Sequence, residues 1–182
     1  MTTTENGTFT VPTREEVSSN NQSIFDNLHK MIGFVPNLYA YYAKSESALG
    51  DYLAFQNRKS TLTSKQREVI NLVTSQINGC RYCQSAHSVF GKFSGLTEEQ
   101  ILDIRKGKVS FDNKIQALID FTTAVVNNRG KVSAEVKTSY FEAGYSEANM
   151  IDTVIVIGDK IISNYIHNLT DIEIDWPIAE QI

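Results

Sequence analysis

The chain is poor in the residues that would suggest many kinds of protein. It has two cysteines, three prolines, three histidines and one tryptophan among 182 residues. Two cysteines do not make a disulfide framework, and three histidines leave little material for a metal centre. Basic charge is also scarce. Lys and Arg number 17 against 21 Asp and Glu, a formal net charge of −4, with no dense basic stripe to track nucleic acid or anionic lipid. Long apolar runs are missing, the longest aliphatic stretch being Val154 to Ile157, so no membrane span is expected. Met1 to Thr10 is polar, without a charged region leading into an apolar one, and a cytoplasmic location is expected. What the chain does have is 41% hydrophobic residues, enough for a compact core.

Apolar positions recur with helical period, and hardly any segment alternates with period two, so the fold class is all-α. Residues 1–12 read as a disordered tail and 13–182 as one all-helical domain. A polar helix is expected from about Thr13 to Lys30, a break at Gly33 to Pro36, and a Tyr-rich helical pair over Asn37–Asn57. Thr63 or Ser64 caps a helix to Ile77. Asn78-Gly79 interrupts it, a second helix runs through the cysteines to Ser94-Gly95, and Thr97 caps a third to Lys106. This plan recurs 49 residues on, in repeats 64–103 and 113–152: Lys65, Ile70, Thr74, Asn78, Gly95, Glu98 and Asp103 match Lys114, Ile119, Thr123, Asn127, Gly144, Glu147 and Asp152. Glu68, Cys80, Cys83 and His87 fall opposite Ala117, Arg129, Val132 and Val136, so the second copy lacks all four.

Both cysteines and one histidine lie within eight residues, Cys80-Arg81-Tyr82-Cys83 and His87. In a reducing compartment this spacing points to redox chemistry or metal binding rather than a structural staple. On a helical wheel with Cys83 at zero, Cys80 lies at about 60° and His87 at about 40°, one shared edge. Phe90, Ala86, Phe93, Tyr82 and Val89 form the adjoining apolar arc, so a buried Cys83 and an exposed Cys80 are expected. Cα atoms three apart on a helix are about 5 Å from each other, within the range a disulfide tolerates. The helix start favours a thiolate, His87 can accept a proton, and Glu68 on the preceding helix can lean in to orient His87. Taken alone, Glu68 reads by default as an ordinary solvated helix carboxylate.

The competing readings each lack a part. Zinc would have Cys80, Cys83 and His87 but no nearby fourth ligand; His29 and His167 read as surface or capping residues. A thioredoxin-like fold needs a βαβ frame that the sequence does not show. Neither metal nor cofactor is expected. The helix from about Ser146 to Asn168 has an apolar arc wider than half its circumference. It is either central to the domain or part of a subunit interface.

The spacing of Glu68, eleven residues, Cys80, two residues, Cys83, three residues, His87 resembles the signature of the AhpD-like alkylhydroperoxidase family, within the carboxymuconolactone decarboxylase superfamily. The likeness is strong over Leu62 to Lys106 and looser to Pro177, and it is closer to the peroxidase-related branch than to the lactone decarboxylase. It implies an all-helical, AhpD-like domain, a homo-oligomer (dimer, trimer or hexamer) and an antioxidant oxidoreductase acting on hydroperoxides. In the implied cycle Cys83 attacks the peroxide, Cys80 resolves the sulfenic acid as a disulfide, and Glu68 with His87 relays the proton. An external dithiol, in the family's best-known member a lipoyl group on a carrier protein, then reduces the disulfide. One departure is Tyr82, which stands where that member has a histidine between the cysteines, so weaker or differently directed activity is expected. Two alternatives are a general disulfide reductase with weak peroxidase activity and a non-enzymatic helical oligomer whose cysteine pair senses oxidation.

Overall fold

The structure, a computed structural model, describes residues 9–182, so most of the expected tail at 1–12 lies outside the described residues. Among the described residues the regular structure is entirely helical, as the hydrophobic period predicts. A 3-10 turn at Arg14–Glu16 precedes α1 (Ser19–Ile32), α2 (Asn37–Tyr42), α3 (Ala48–Gln56), α4 (Ser64–Ile77), α5 (Arg81–Phe93), α6 (Glu98–Arg105), α7 (Asn113–Asn127), α8 (Ala134–Glu142) and α9 (Glu147–Thr170). None of these helices is long and apolar enough to cross a membrane. The contacts divide the chain into two compact units, 1–58 with 166–175 and 59–165 with 176–182.

In the first unit the expected helix from Thr13 is split. Val17 is extended at φ −108° and buried, and Ser18 restarts the chain by accepting a hydrogen bond from the Asn21 N–H. Asn21 is itself fully buried, and its amide donates to the carbonyls of Ala43 and Ser45. The tyrosine-rich pair packs through stacked Tyr42 and Tyr52 rings, 4.6 Å between centroids.

The second unit holds the larger core. Leu72, Ile104, Leu118 and Tyr140 are fully buried in it, and Tyr140 lies between Phe121 and Tyr145 with ring centroids at 4.2 and 4.4 Å. Its helix starts follow local chemistry: Thr63 with Gln66 and Thr97 with Gln100 form capping boxes, and Asp112 accepts from the N–H groups of Lys114 and Ile115. α7 begins at residue 113 and α9 at 147, each 49 residues after the starts of α4 at 64 and α6 at 98. Gly95 and Gly144 turn the chain at φ 88° and 84°, a left-handed conformation that favours glycine, and Lys65 and Lys114 reach toward these two turns.

α9 departs from its wheel. Much of its inward face is polar, with Asp152, Thr153, Asp159, Lys160, Ser163 and Asn164 all buried, while Ile151, Val154, Ile162 and Tyr165 are exposed. Asp152 explains one end of this inversion, because its carboxylate ties down the loop before α4 by accepting from the Ser60 and Thr61 hydroxyls and the Thr61 N–H.

Candidate functional site

The site residues all lie in the second unit, and the geometry starts at the C-terminal end of α4. Asn78 ends that helix, Gly79 reverses the chain at φ 65°, and the Cys80 N–H returns to the Ser75 carbonyl at 3.0 Å. Cys80 is therefore not a helical residue. At φ −80° and ψ 99° it is the N-cap of α5, and its Sγ accepts the Cys83 N–H at 3.3 Å, where a serine or aspartate oxygen would usually serve. This corrects the expected exposed thiol. A wheel that assumed helical dihedrals turned Cys80 toward solvent, whereas the cap folds its sulfur back over the first turn and buries it completely. Cys83 is 2% exposed, as expected for the inner thiol, and both cysteines are free.

Glu68 reaches His87 across the α4–α5 contact. Its Oε2 lies 2.8 Å from His87 Nδ1, and its Oε1 accepts from the Asn71 amide at 3.1 Å. Of the two readings of Glu68, the structure supports the one that leans inward, with its side chain 16% exposed. The carboxylate fixes the imidazole's orientation and leaves Nε2 as the ring atom able to exchange a proton with a ligand.

A third contribution comes from α9, and the sequence reading missed it. Ser163 Oγ is 3.9 Å from Cys83 Sγ. Asn164 is fully buried, accepting from the Asn78 amide at 3.0 Å and donating to Ser75 Oγ at 3.2 Å, and its amide favours the ionised form of both cysteines. Lys160 is one turn before Asn164, its side chain 3% exposed. The available signal was three polar residues at i, i+3 and i+4 in the Ile-rich second half of the helix.

These surroundings push the two thiols apart. Burial works against a thiolate at Cys83, but the Cys80 S–H donating to its sulfur, the positive charges of Lys160 and His87, and the Asn164 hydrogen bond outweigh it, and its pKa is lowered to about 6. Cys80 is raised, first because its proton is held by Cys83 and then by burial and by the charge on Cys83. The pair thus holds one proton and one negative charge, with the charge on Cys83.

The rest of α5 is enclosed by the chain's own C-terminal segment. Tyr82 is buried, its hydroxyl accepting from the Trp176 indole N–H at 3.2 Å, so it packs as expected. Ala179 donates its N–H to Ser85 Oγ at 3.0 Å and accepts from Arg81. Phe93, expected in the buried arc, is instead 81% exposed at the helix end. His29 is exposed. His167, expected at the surface or as a cap, is buried with Nε2 at 3.2 Å from the Ile172 carbonyl just past the end of α9, and burial lowers its pKa. Among the described residues, no group of three or more His, Cys, Asp or Glu side chains could hold a metal ion.

The carboxymuconolactone decarboxylase family profile matches residues 44–117, a span that contains Glu68, Cys80, Cys83 and His87. Over that span the chain is similar to the carboxymuconolactone decarboxylase family. Solved structures agree on the fold. A peroxidase-related protein from Silicibacter sp. TM1040 aligns at TM-score 0.82 and 21% identity, covering 95% of this chain and 94% of that one. An AhpD-core, peroxidase-related protein from Ralstonia eutropha JMP134 aligns at 0.80 and 20%, covering 88% and 87%. The debrominase Bmp8, in a cysteine-to-alanine variant bound to 2,3,4-tribromopyrrole, aligns at 0.75 and 17%, covering 91% and 90%. At such identities the likeness establishes the AhpD-like fold alone. No curated protein sequence matches the chain.

Proposed function

We propose that this AhpD-like protein is a thiol-dependent peroxidase that reduces hydroperoxides through a Cys80–Cys83 disulfide cycle. The observation that carries the reading is the asymmetric thiol pair beside the Glu68–His87 hydrogen bond of 2.8 Å: one sulfur is poised as a nucleophile, its neighbour as a proton-bearing resolving thiol. In the first step the Cys83 thiolate attacks the terminal peroxide oxygen. The O–O bond breaks, the leaving alkoxide takes a proton relayed by His87 and Glu68, and Cys83 becomes a sulfenic acid. Cys80 then attacks that sulfur, water leaves, and the disulfide forms. An external dithiol returns both cysteines to thiols and leaves as its own disulfide.

Both sulfurs are buried in the reduced protein, which favours a slender donor over a broad protein surface. A lipoyl group on a flexible carrier arm suits that requirement. The exposed apolar residues of α9, Ile151, Val154, Ile162 and Tyr165, support a homo-oligomer, which light scattering tests: a monomeric mass removes it. The function itself is tested by hydroperoxide consumption with a dihydrolipoyl donor, expected to run for many turnovers and to stop in Cys83→Ser. One stoichiometric oxidation without turnover would instead support a redox sensor. The fold shared with a debrominase makes brominated pyrroles a second electrophile for the same assay, read by bromide release.

A further inference from the structure

A thiolate buried as deeply as Cys83 needs a compensating positive charge, since an unpaired buried ion costs several kcal/mol. The charged and titratable groups facing it come from three helices. Capping α5 is Cys80, a neutral thiol while it keeps its proton, and on α5 stands His87, whose ring is already hydrogen-bonded to a carboxylate. On α4 stands that carboxylate, Glu68, of the wrong sign. On α9 stand Asp159 and Lys160, an ion pair with Oδ2 and Nζ 3.7 Å apart. Arg81, next to Cys80, directs its guanidinium to the Ala179 carbonyl.

The register of α9 brings Lys160 onto the thiol side of the helix. Residues 160, 163 and 164 share one face. Ser163 from that face meets Cys83 Sγ at 3.9 Å, and Ser163 Oγ is anchored on the Lys160 carbonyl at 3.1 Å. Asn164 from the same face locks onto Ser75 and Asn78, the residues that lead the chain into Cys80. The Lys160 side chain, 3% exposed, therefore leaves the same helix face that meets the reacting sulfur.

We propose that Lys160 is a positioning residue of the thiol chemistry, the counter-charge that α9 supplies to hold Cys83 as a buried thiolate. The electrostatics agree, Lys160 preceding His87 among the charges that favour the ionised sulfur. The inference rests on the peroxidase reading for its purpose but not for its test, which needs no peroxide.

The test follows thiolate absorbance near 240 nm against pH in the reduced full-length protein, with Cys83→Ser as background. Lys160→Met and Lys160→Gln are expected to raise the midpoint by about one unit, leaving about fivefold less thiolate at pH 6, while Lys160→Arg keeps it. A midpoint unmoved in folded Met and Gln variants overturns the proposal, as does an Arg variant that shifts as far as they do. A second readout needs no destabilising change. With lysine side chains isotope-labelled, the Lys160 resonance, assigned by its loss in Lys160→Arg, is expected to shift as Cys83 titrates and to lose that shift in Cys83→Ala; a resonance indifferent to Cys83 overturns the proposal even if the Met and Gln variants do not fold. Turnover lost with the titration intact counts against the peroxidase reading alone, and a Lys160-independent midpoint in a working peroxidase counts against this proposal alone.

Discussion

The pH profile of Cys83 alkylation reports most directly on the electrostatics of the site. With its pKa lowered from the ordinary 9.0 to about 6, Cys83 is reactive above that value and loses its charge as pH falls through it. At pH 7 such a thiol is about 90% thiolate and an ordinary one about 1%, roughly a ninetyfold difference in population. Nucleophilicity falls with basicity at a Brønsted slope of about 0.4–0.5, so three units take about 16- to 30-fold from the rate of each thiolate. The two effects nearly cancel, leaving an advantage of about three- to sixfold at pH 7, further reduced by burial. Absolute rate is therefore a weak test, and the shape of the profile is a strong one. Between pH 7 and 9 the Cys83 rate is expected to be nearly flat, whereas an ordinary thiol would gain about fiftyfold. Reduced protein is pulsed with iodoacetamide and digested with trypsin; cleavage after Arg81 puts the two cysteines on separate peptides for mass spectrometry. A Cys83 rate that climbs by about fiftyfold or more between pH 7 and 9, or a Cys80 that reacts first, would refute the assignment of charge within the pair.

Glu68→Gln retains a polar partner for His87 but removes its charge, so kcat/KM for a hydroperoxide is expected to fall by about 100-fold, the lower range for acid–base groups, with thermal stability little changed. Leu72→Ala empties a fully buried position and is expected to cost about 2–5 kcal/mol in urea unfolding. Asp152→Ala strips the Thr61 N–H and two hydroxyls of their acceptor and is expected to cost about 1–3 kcal/mol in the same measurement, without altering the alkylation profile of Cys83.

What could be read from the sequence was what local chemistry decides. Thr63 and Thr97 cap their helices because the glutamine three residues later completes each box, and Asn78-Gly79 breaks the chain because Gly79 must enter the left-handed region. The 2.8 Å meeting of Glu68 and His87 follows from two adjacent helices whose facing positions the wheels identify. The errors came where tertiary packing or a cap overrode the wheel. Cys80 was assigned helical dihedrals and a solvent-facing angle, but as an N-cap it turns inward. Lys160, Ser163 and Asn164 were not singled out in a helix rich in Ile and Val, yet its buried face satisfies polar groups on α4 and α5. His167 was placed on a polar side that the fold buries against a backbone carbonyl.

The most direct measurement is mass spectrometry of Cys80 and Cys83 during titration with a hydroperoxide, with and without a dihydrolipoyl donor. The expected result without donor is an intramolecular Cys80–Cys83 disulfide formed at one peroxide per chain, passing through a sulfenic acid that accumulates on Cys83 in Cys80→Ser. With donor, both thiols return and peroxide consumption continues. Sulfurs that stay reduced under excess hydroperoxide, or a sulfenic acid found on Cys80, would contradict the proposed chemistry.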